Sequence, residues 1–101
     1  MAAKRLSSSE IDAALAQLPG WSLKDQKLHR EYKFPSFAYA IGFMTAAAVL
    51  IERMNHHPEW SNVYNRVSVD LVTHDSGGIT NRDVELARTL EEIAANLVTT
   101  A

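Results

Sequence analysis

Apolar residues recur along the chain with two different periods, and the changes of period mark out the elements. Ile11, Ala14, Leu15 and Leu18 are spaced for one face of a helix. The run Ser7-Ser8-Ser9-Glu10 before them reads as a capping box, and Pro19-Gly20 ends the element. Trp21–Leu23 and Leu28–Phe34 then read as two strands. The polar run Lys24-Asp25-Gln26-Lys27 between them predicts a hairpin. Alternation in the second strand is imperfect, because Arg30 falls in register with Leu28 and Tyr32. His29, among charged neighbours, is expected to be a solvated or half-buried ring with no functional part.

Ser36 is placed to cap a long helix in which Phe37, Ala40, Ile41, Met44, Ala48 and Ile51 form one stripe. Phe43, Ala46, Ala47, Val49 and Leu50 are apolar too, so from Phe43 to Ile51 only Thr45 is polar. In a domain this small, one helix presses one face onto a sheet, and the other face needs a second partner. A neighbouring copy of the chain is the economical one, which predicts a homo-oligomer built through the 36–57 helix. Pro58 is expected to end this helix, since proline disfavours helical geometry in the residue before it. That places His56 and His57 at its carboxyl end.

Trp60–Tyr64 and Val67–Thr73 read as two further strands turning near Asn65-Arg66. In the second, Val67, Val69, Leu71 and Thr73 share one face, while Ser68, Asp70, Val72 and His74 share the other. His74 therefore leaves the strand end beside the loop Asp75-Ser76-Gly77-Gly78. Thr80-Asn81-Arg82-Asp83 resembles a capping box, and Leu86, Leu90, Ile93 and Leu97 form the stripe of a last helix. Thr99-Thr100-Ala101 should fray. The order α-β-β-α-β-β-α predicts an α+β fold, with three helices packed on one face of a four-stranded antiparallel sheet.

Composition narrows the function more than the fold. The 101 residues suit one domain, 1–101, with a single core. The net charge of −2 gives no basic footprint for nucleic acid. The absence of cysteine removes disulfides and thiolate metal sites. The amino terminus has no secretory pattern, and the longest apolar run, Phe37–Ile51, falls short of the ~20 residues of a membrane span. A soluble, cytoplasmic protein is the expectation.

Three of the four histidines lie between Glu52 and Asp83, together with several carboxylates, Trp60 and Tyr64. Histidine titrates near neutrality and serves as acid or base, so such a group suits proton-transfer chemistry. Each residue also has a plainer reading: the histidines as a polar helix end, Asp83 as a cap, Trp60 as core. A metal held by Glu52, His56 and His74 competes as well. Against it, adjacent histidines on helical backbone diverge by roughly 100°, and the usual helical metal motif spaces its two histidines four apart. The expectation is no metal.

The spacing Glu52-x-x-x-His56-His57-Pro58, then Tyr64 after five residues, His74 after nine more and Asp83 after eight more, resembles the signature of the pterin-4a-carbinolamine dehydratases. The likeness extends through His57-Pro58-Glu59-Trp60, Asn62-Val63-Tyr64-Asn65 and Thr73-His74. It departs at Asn55 and Ser76, where animal members usually carry an acidic residue and a cysteine. The resemblance implies a hydro-lyase that dehydrates 4a-hydroxytetrahydropterins to quinonoid dihydropterin in tetrahydrobiopterin recycling, with no metal and no organic cofactor. It further implies a tetramer with a helix packed between subunits, and animal members that also serve as dimerisation partners of a homeodomain transcription factor. By that resemblance His56, His57 and His74 are the catalytic residues. His57 and His74 would address the leaving hydroxyl, and His56 the proton on nitrogen. Glu52, Pro58, Trp60, Thr73, Asp75 and Asp83 would bind substrate or orient the imidazoles, with Trp60 as a flat wall. The rival reading is a non-catalytic binding or regulatory module on the same fold.

Overall fold

The computed structural model describes residues 3–98, so the expected fraying of 99–101 lies outside the described residues. The elements run α1 Ser8–Ala16, β1 Ser22–Lys24, β2 Lys27–Lys33, α2 Phe37–Met54, β3 Glu59–Val63, β4 Arg66–Leu71, a single 3-10 turn His74–Ser76, and α3 Asn81–Val98. The four strands form one antiparallel sheet in the order β1-β2-β4-β3. Because β2 and β3 both pair antiparallel with β4, they run parallel to each other, and α2 is the crossover between them. The fold is the expected α+β arrangement.

Local chemistry accounts for the boundaries. Ser7 closes a full capping box on α1, its hydroxyl accepting from the Glu10 amide while the Glu10 carboxylate accepts from the Ser7 amide. Gly20 turns the chain at φ +89°, a conformation that favours glycine, and a Cβ there would displace the movable end of the Arg30 side chain. The β1–β2 turn is only two residues, Asp25 and Gln26, both at positive φ as this tight hairpin requires. The β3–β4 turn is Tyr64-Asn65 rather than Asn65-Arg66: Tyr64 takes φ 52°, and Arg66 already pairs with Val63.

The core lies between sheet and helices. Leu28, Tyr32, Val67, Val69 and Leu71 rise from the sheet to meet Phe43, Ala47, Leu86 and Leu90. Tyr32, Phe34 and Phe43 form a ring cluster with centroids 4.9–5.8 Å apart. Arg30 joins the inner face because its guanidinium stacks 4.5 Å above the Tyr32 ring and meets Glu91 at 3.3 Å. Glu91 also accepts from the Trp21 indole and the Tyr32 hydroxyl. His29, half-buried, pairs with Asp70 across the β2–β4 ladder.

Helix α2 differs from expectation in two respects. Its buried stripe is Ala40, Phe43, Ala47 and Ile51, so Phe37, Ile41 and Val49 are the ones left exposed. A helix apolar nearly all round has no period to fix its facing; Phe43, locked into the ring cluster, fixes it. The helix also ends three residues before Pro58 should bite. Asn55 adopts left-handed geometry (φ 52°, ψ 43°) and its amide returns to the Glu52 and Ile51 carbonyls, a C-terminal cap that makes the proline redundant as a stop. Its 18 residues suffice by length and composition for a membrane span. Its inner stripe packs in the core and the helix contacts α3, but only 22% of the span is buried.

Candidate active site

Two chain terminations bring the site together. Past the left-handed Asn55, His56 and His57 lie on non-helical backbone, and their side chains take opposite fates. His56 turns inward and is buried at 7% exposure, whereas the His57 ring is more than half exposed. On the facing side, β4 ends, Thr73 bridges Gly78, and the 3-10 turn presents His74 to solvent. The start of α3 closes the floor with Thr80 and Asp83, both fully buried.

Asp83 is the hub beneath. Its Oδ1 lies 2.6 Å from His56 Nε2, and its Oδ2 accepts from Thr73 Oγ1 and from the Thr80 amide, each at 2.8 Å. Since Thr73 spends its proton on Asp83, the 2.7 Å contact between the two threonine hydroxyls has Thr80 donating to Thr73. Thr80 Oγ1 in turn accepts from the Arg82 amide. Every donor in this chain points towards one carboxylate, so His56 presents Nε2–H to it. The nitrogen left with a lone pair is Nδ1. Asp83 thus fixes the tautomer of the buried ring.

The other two histidines carry their own carboxylates. His57 Nε2 lies 2.7 Å from Glu52 Oε1, and His74 Nε2 lies 3.0 Å from Glu59 Oε2. The Glu59 carboxyl is held below its usual range by Lys27 first and by His74 second. Asn55, His56, His57, Val72, Thr73, His74, Asp75 and Arg82 together line a shallow cleft of about 240 Å³. All three histidines named from the sequence reach this one cleft.

The remaining sequence candidates fall in different places. Thr73 and Asp75 line the cleft. Thr73 uses its backbone within the turn, donating to Gly78 and accepting from Ser76 and Gly78. The first two amides of the turn, those of His74 and Asp75, have no backbone partner among the described residues. Asp83 lies behind His56, positioned to orient an imidazole and not to touch a bound molecule. Glu52 touches the cleft only through His57. Pro58 and Trp60 are not among the lining residues. Trp60 pairs opposite the inward-facing Val69 and packs on the core, which is its plainer reading. Tyr64 is an exposed turn residue.

Arg82 was not singled out in the sequence. Its guanidinium donates to the Asn55 carbonyl at 2.6 Å, tying the end of α2 to the start of α3 across the cleft. Its place one residue before Asp83, in a run that reads as a cap, was the only hint. The metal grouping of Glu52, His56 and His74 does not form, because Glu52 engages His57 and His56 engages Asp83. Among the described residues, no three His, Asp or Glu side chains converge as metal ligands.

Comparison with known proteins gives the chain's family. The family described as Pterin 4 alpha carbinolamine dehydratase matches residues 4–93. The chain belongs to that family. A Solibacter usitatus protein named "Putative pterin-4-alpha-carbinolamine dehydratase" is 57% identical over 91 residues, covering 90% of this chain and 96% of the relative. One of the same name from Rhizobium etli is 50% identical over 97 residues, covering 94% and 96%. The crystal structure of a protein titled transcriptional coactivator/pterin dehydratase, from Brucella melitensis, superposes with a TM-score of 0.88 at 45% identity, covering 90% of this chain and 99% of that one. A pterin dehydratase-like protein identified as a RuBisCO assembly factor in the alpha-carboxysome shares the fold, with a TM-score of 0.61 at 23% identity over 73% of this chain and 86% of that one.

Proposed function

We propose that the protein dehydrates 4a-hydroxytetrahydropterins to quinonoid dihydropterin by histidine acid–base catalysis, in the recycling of tetrahydrobiopterin. The observation that carries this reading is the convergence of His56, His57 and His74 on one cleft, with the buried ring locked as the Nε2–H tautomer. Elimination breaks the C4a–O bond and removes the N5 proton, forming C4a=N5 and water. In this reading His56 Nδ1, the nitrogen bearing the lone pair, takes the N5 proton. His74, or His57 from the other side, protonates the leaving hydroxyl. The two exposed rings exchange protons with water after each turnover, and the amides of His74 and Asp75 meet the hydrogen-bonding edge of the pterin. No step calls for a metal or an organic cofactor. The reading places the reaction in the cytoplasm, without nucleic acid or membrane.

The same reading makes the protein a homo-oligomer through α2, whose Phe37, Tyr39, Ile41 and Val49 are exposed. Large apolar side chains left exposed around the outward side of one helix mark a contact surface. That surface also supports the second reading, a binding module whose work is done by α2 with or without turnover at the cleft.

Stopped-flow absorbance of 4a-hydroxytetrahydropterin decay separates the two. The native protein should accelerate decay, unaffected by a chelator, and His57→Ala should lose most of the acceleration, about 10²-fold or more. Absence of acceleration by the native protein would overturn the dehydratase and leave the binding module.

A further inference from the structure

Glu59 opens β3, and its two carboxylate oxygens serve different masters. Oε2 takes His74 Nε2 at 3.0 Å, and Oε1 takes Lys27 Nζ at 2.5 Å. Lys27 opens β2 on the far side of β4, so the contact reaches over the outer face of the sheet, past Asp70. A carboxylate held at both oxygens has little freedom to turn. The ring it binds is otherwise an exposed side chain on a single 3-10 turn. The His74 ring also stands between two hollows: the three-histidine cleft and a second one, of about 250 Å³, lined by Asp25, Gln26 and Lys27.

We propose that Glu59 is a positioning residue for the dehydration, fixing the orientation and protonation of His74 from β3, and that Lys27 sets how strongly it does so. The proposal rests on the dehydratase reading for its chemistry, though not for its geometry. A carboxylate facing Nε2 keeps a proton there and turns Nδ1 towards the substrate side of the ring. To protonate a leaving hydroxyl from Nδ1, His74 must carry both protons. The negative charge of Glu59 favours that state, and the positive charge of Lys27 opposes it. Lys27 and His74 both draw the Glu59 carboxyl down, Lys27 more strongly, so the carboxylate is shared between two cations. In turnover the imidazolium gives its Nδ1 proton to the oxygen as C4a–O breaks, and the N5 proton passes to His56. The other charges round His74 are Asp25 of the hairpin turn, Asp70 of β4, Asp75 of its own turn, and His56, His57 and Arg82 across the cleft. Both variants below leave these in place.

The two partners predict shifts of opposite sign, which a purely structural contact would not produce. NMR titration of the His74 ring at low ionic strength reads them directly. Glu59→Gln should move the His74 titration to lower pH, because it removes the negative charge beside Nε2. Lys27→Met should move the titration to higher pH by a smaller amount. In the dehydration assay, Glu59→Gln should reduce kcat several-fold with KM little changed, and shift the pH profile of kcat in the same direction as the ring. Unmoved titrations, or shifts of the same sign in both variants, would overturn the proposal. Shifts of the predicted signs, with a kcat profile that follows His74, would establish it. Absence of dehydration by the native protein would overturn the catalytic claim of this proposal together with the dehydratase reading, and the titrations would still decide the geometric one.

Discussion

Replacing Asp83 with Asn tests the logic of the buried hub, because the change keeps shape and removes one acceptor. Asp83 accepts from three donors, two of them at Oδ2. Asparagine has a single carbonyl oxygen, and it belongs where Thr73 and the Thr80 amide both donate. Its NH₂ then faces His56 Nε2 in place of Oδ1. Two donors cannot face each other at 2.6 Å in a buried site, so the ring must move its proton to Nδ1. Charge-assisted bonds are worth about 1 kcal/mol more than neutral ones. Weakening three of them, partly repaid by the inverted His56 bond, costs about 2 kcal/mol of stability. In a domain of this size that lowers Tm by about 10 °C and leaves the variant folded. Long-range nitrogen–proton NMR should show His56 inverted from Nε2–H to Nδ1–H. With its lone pair turned from the cleft, dehydration should fall about 10²–10⁴-fold, even at temperatures where the variant is fully folded. A His56 ring that stays Nε2–H in the variant, or an inverted ring with native kcat, would refute the reasoning.

Two further outcomes follow from groups outside the cleft. Burial first, and the Glu91 hydrogen bond second, push the Tyr32 phenol well above its ordinary pKa of 10.0, so the fold favours its neutral form. That contribution is complete below pH ~10 and is lost as pH rises above it. Denaturant titrations from pH 8 to 11.5 should show an alkaline loss of stability that Tyr32→Phe reduces, and an unchanged alkaline limb would count against the assignment. Val49→Arg places a charge on the most exposed large apolar residue of α2. Sedimentation should find the native protein as an oligomer at micromolar concentration and the variant shifted towards monomer with its circular dichroism unchanged; a native monomer would remove the interface.

Much of the fold was legible because its signals are local. The Ser7–Glu10 cap, the glycine at 20 and the alternation of Val67, Val69, Leu71 and Thr73 each fix geometry within a few residues. The facing of α2 was not legible: a helix apolar on both sides carries no preferred direction, and Phe43 acquires one only by meeting Tyr32 and Phe34 from a distant strand. Nor was the stop at Asn55, since left-handed asparagine competes with a proline three residues on and leaves no periodic trace. In the site, spacing brought out the three histidines and Asp83. It could not show that Asp83 lies beneath the cleft, that Trp60 turns to the core, or that Arg82 reaches Asn55. Those depend on how α2 and α3 meet, a long-range fact.

Burial gives the three rings unequal freedom, and that inequality suits the proposed elimination. All four histidines of the chain pair with an acidic residue, so pairing alone does not mark a site. Burial does. His56 is sealed against Asp83 and can hold only one tautomer without breaking the threonine network behind it. His57 and His74 face water. A ring with a fixed lone pair suits the step where geometry matters most, removal of a proton from a nitrogen in a planar bicycle. Open rings suit the step where a proton must be replaced after every cycle. Were all three buried, reprotonation would limit turnover; were all three exposed, nothing would hold the base in the tautomer that accepts. The left-handed turn at Asn55 produces this division by sending two consecutive side chains to opposite sides of the chain. A change there that restores helical geometry, Asn55→Ala, should therefore disturb His56 and His57 together.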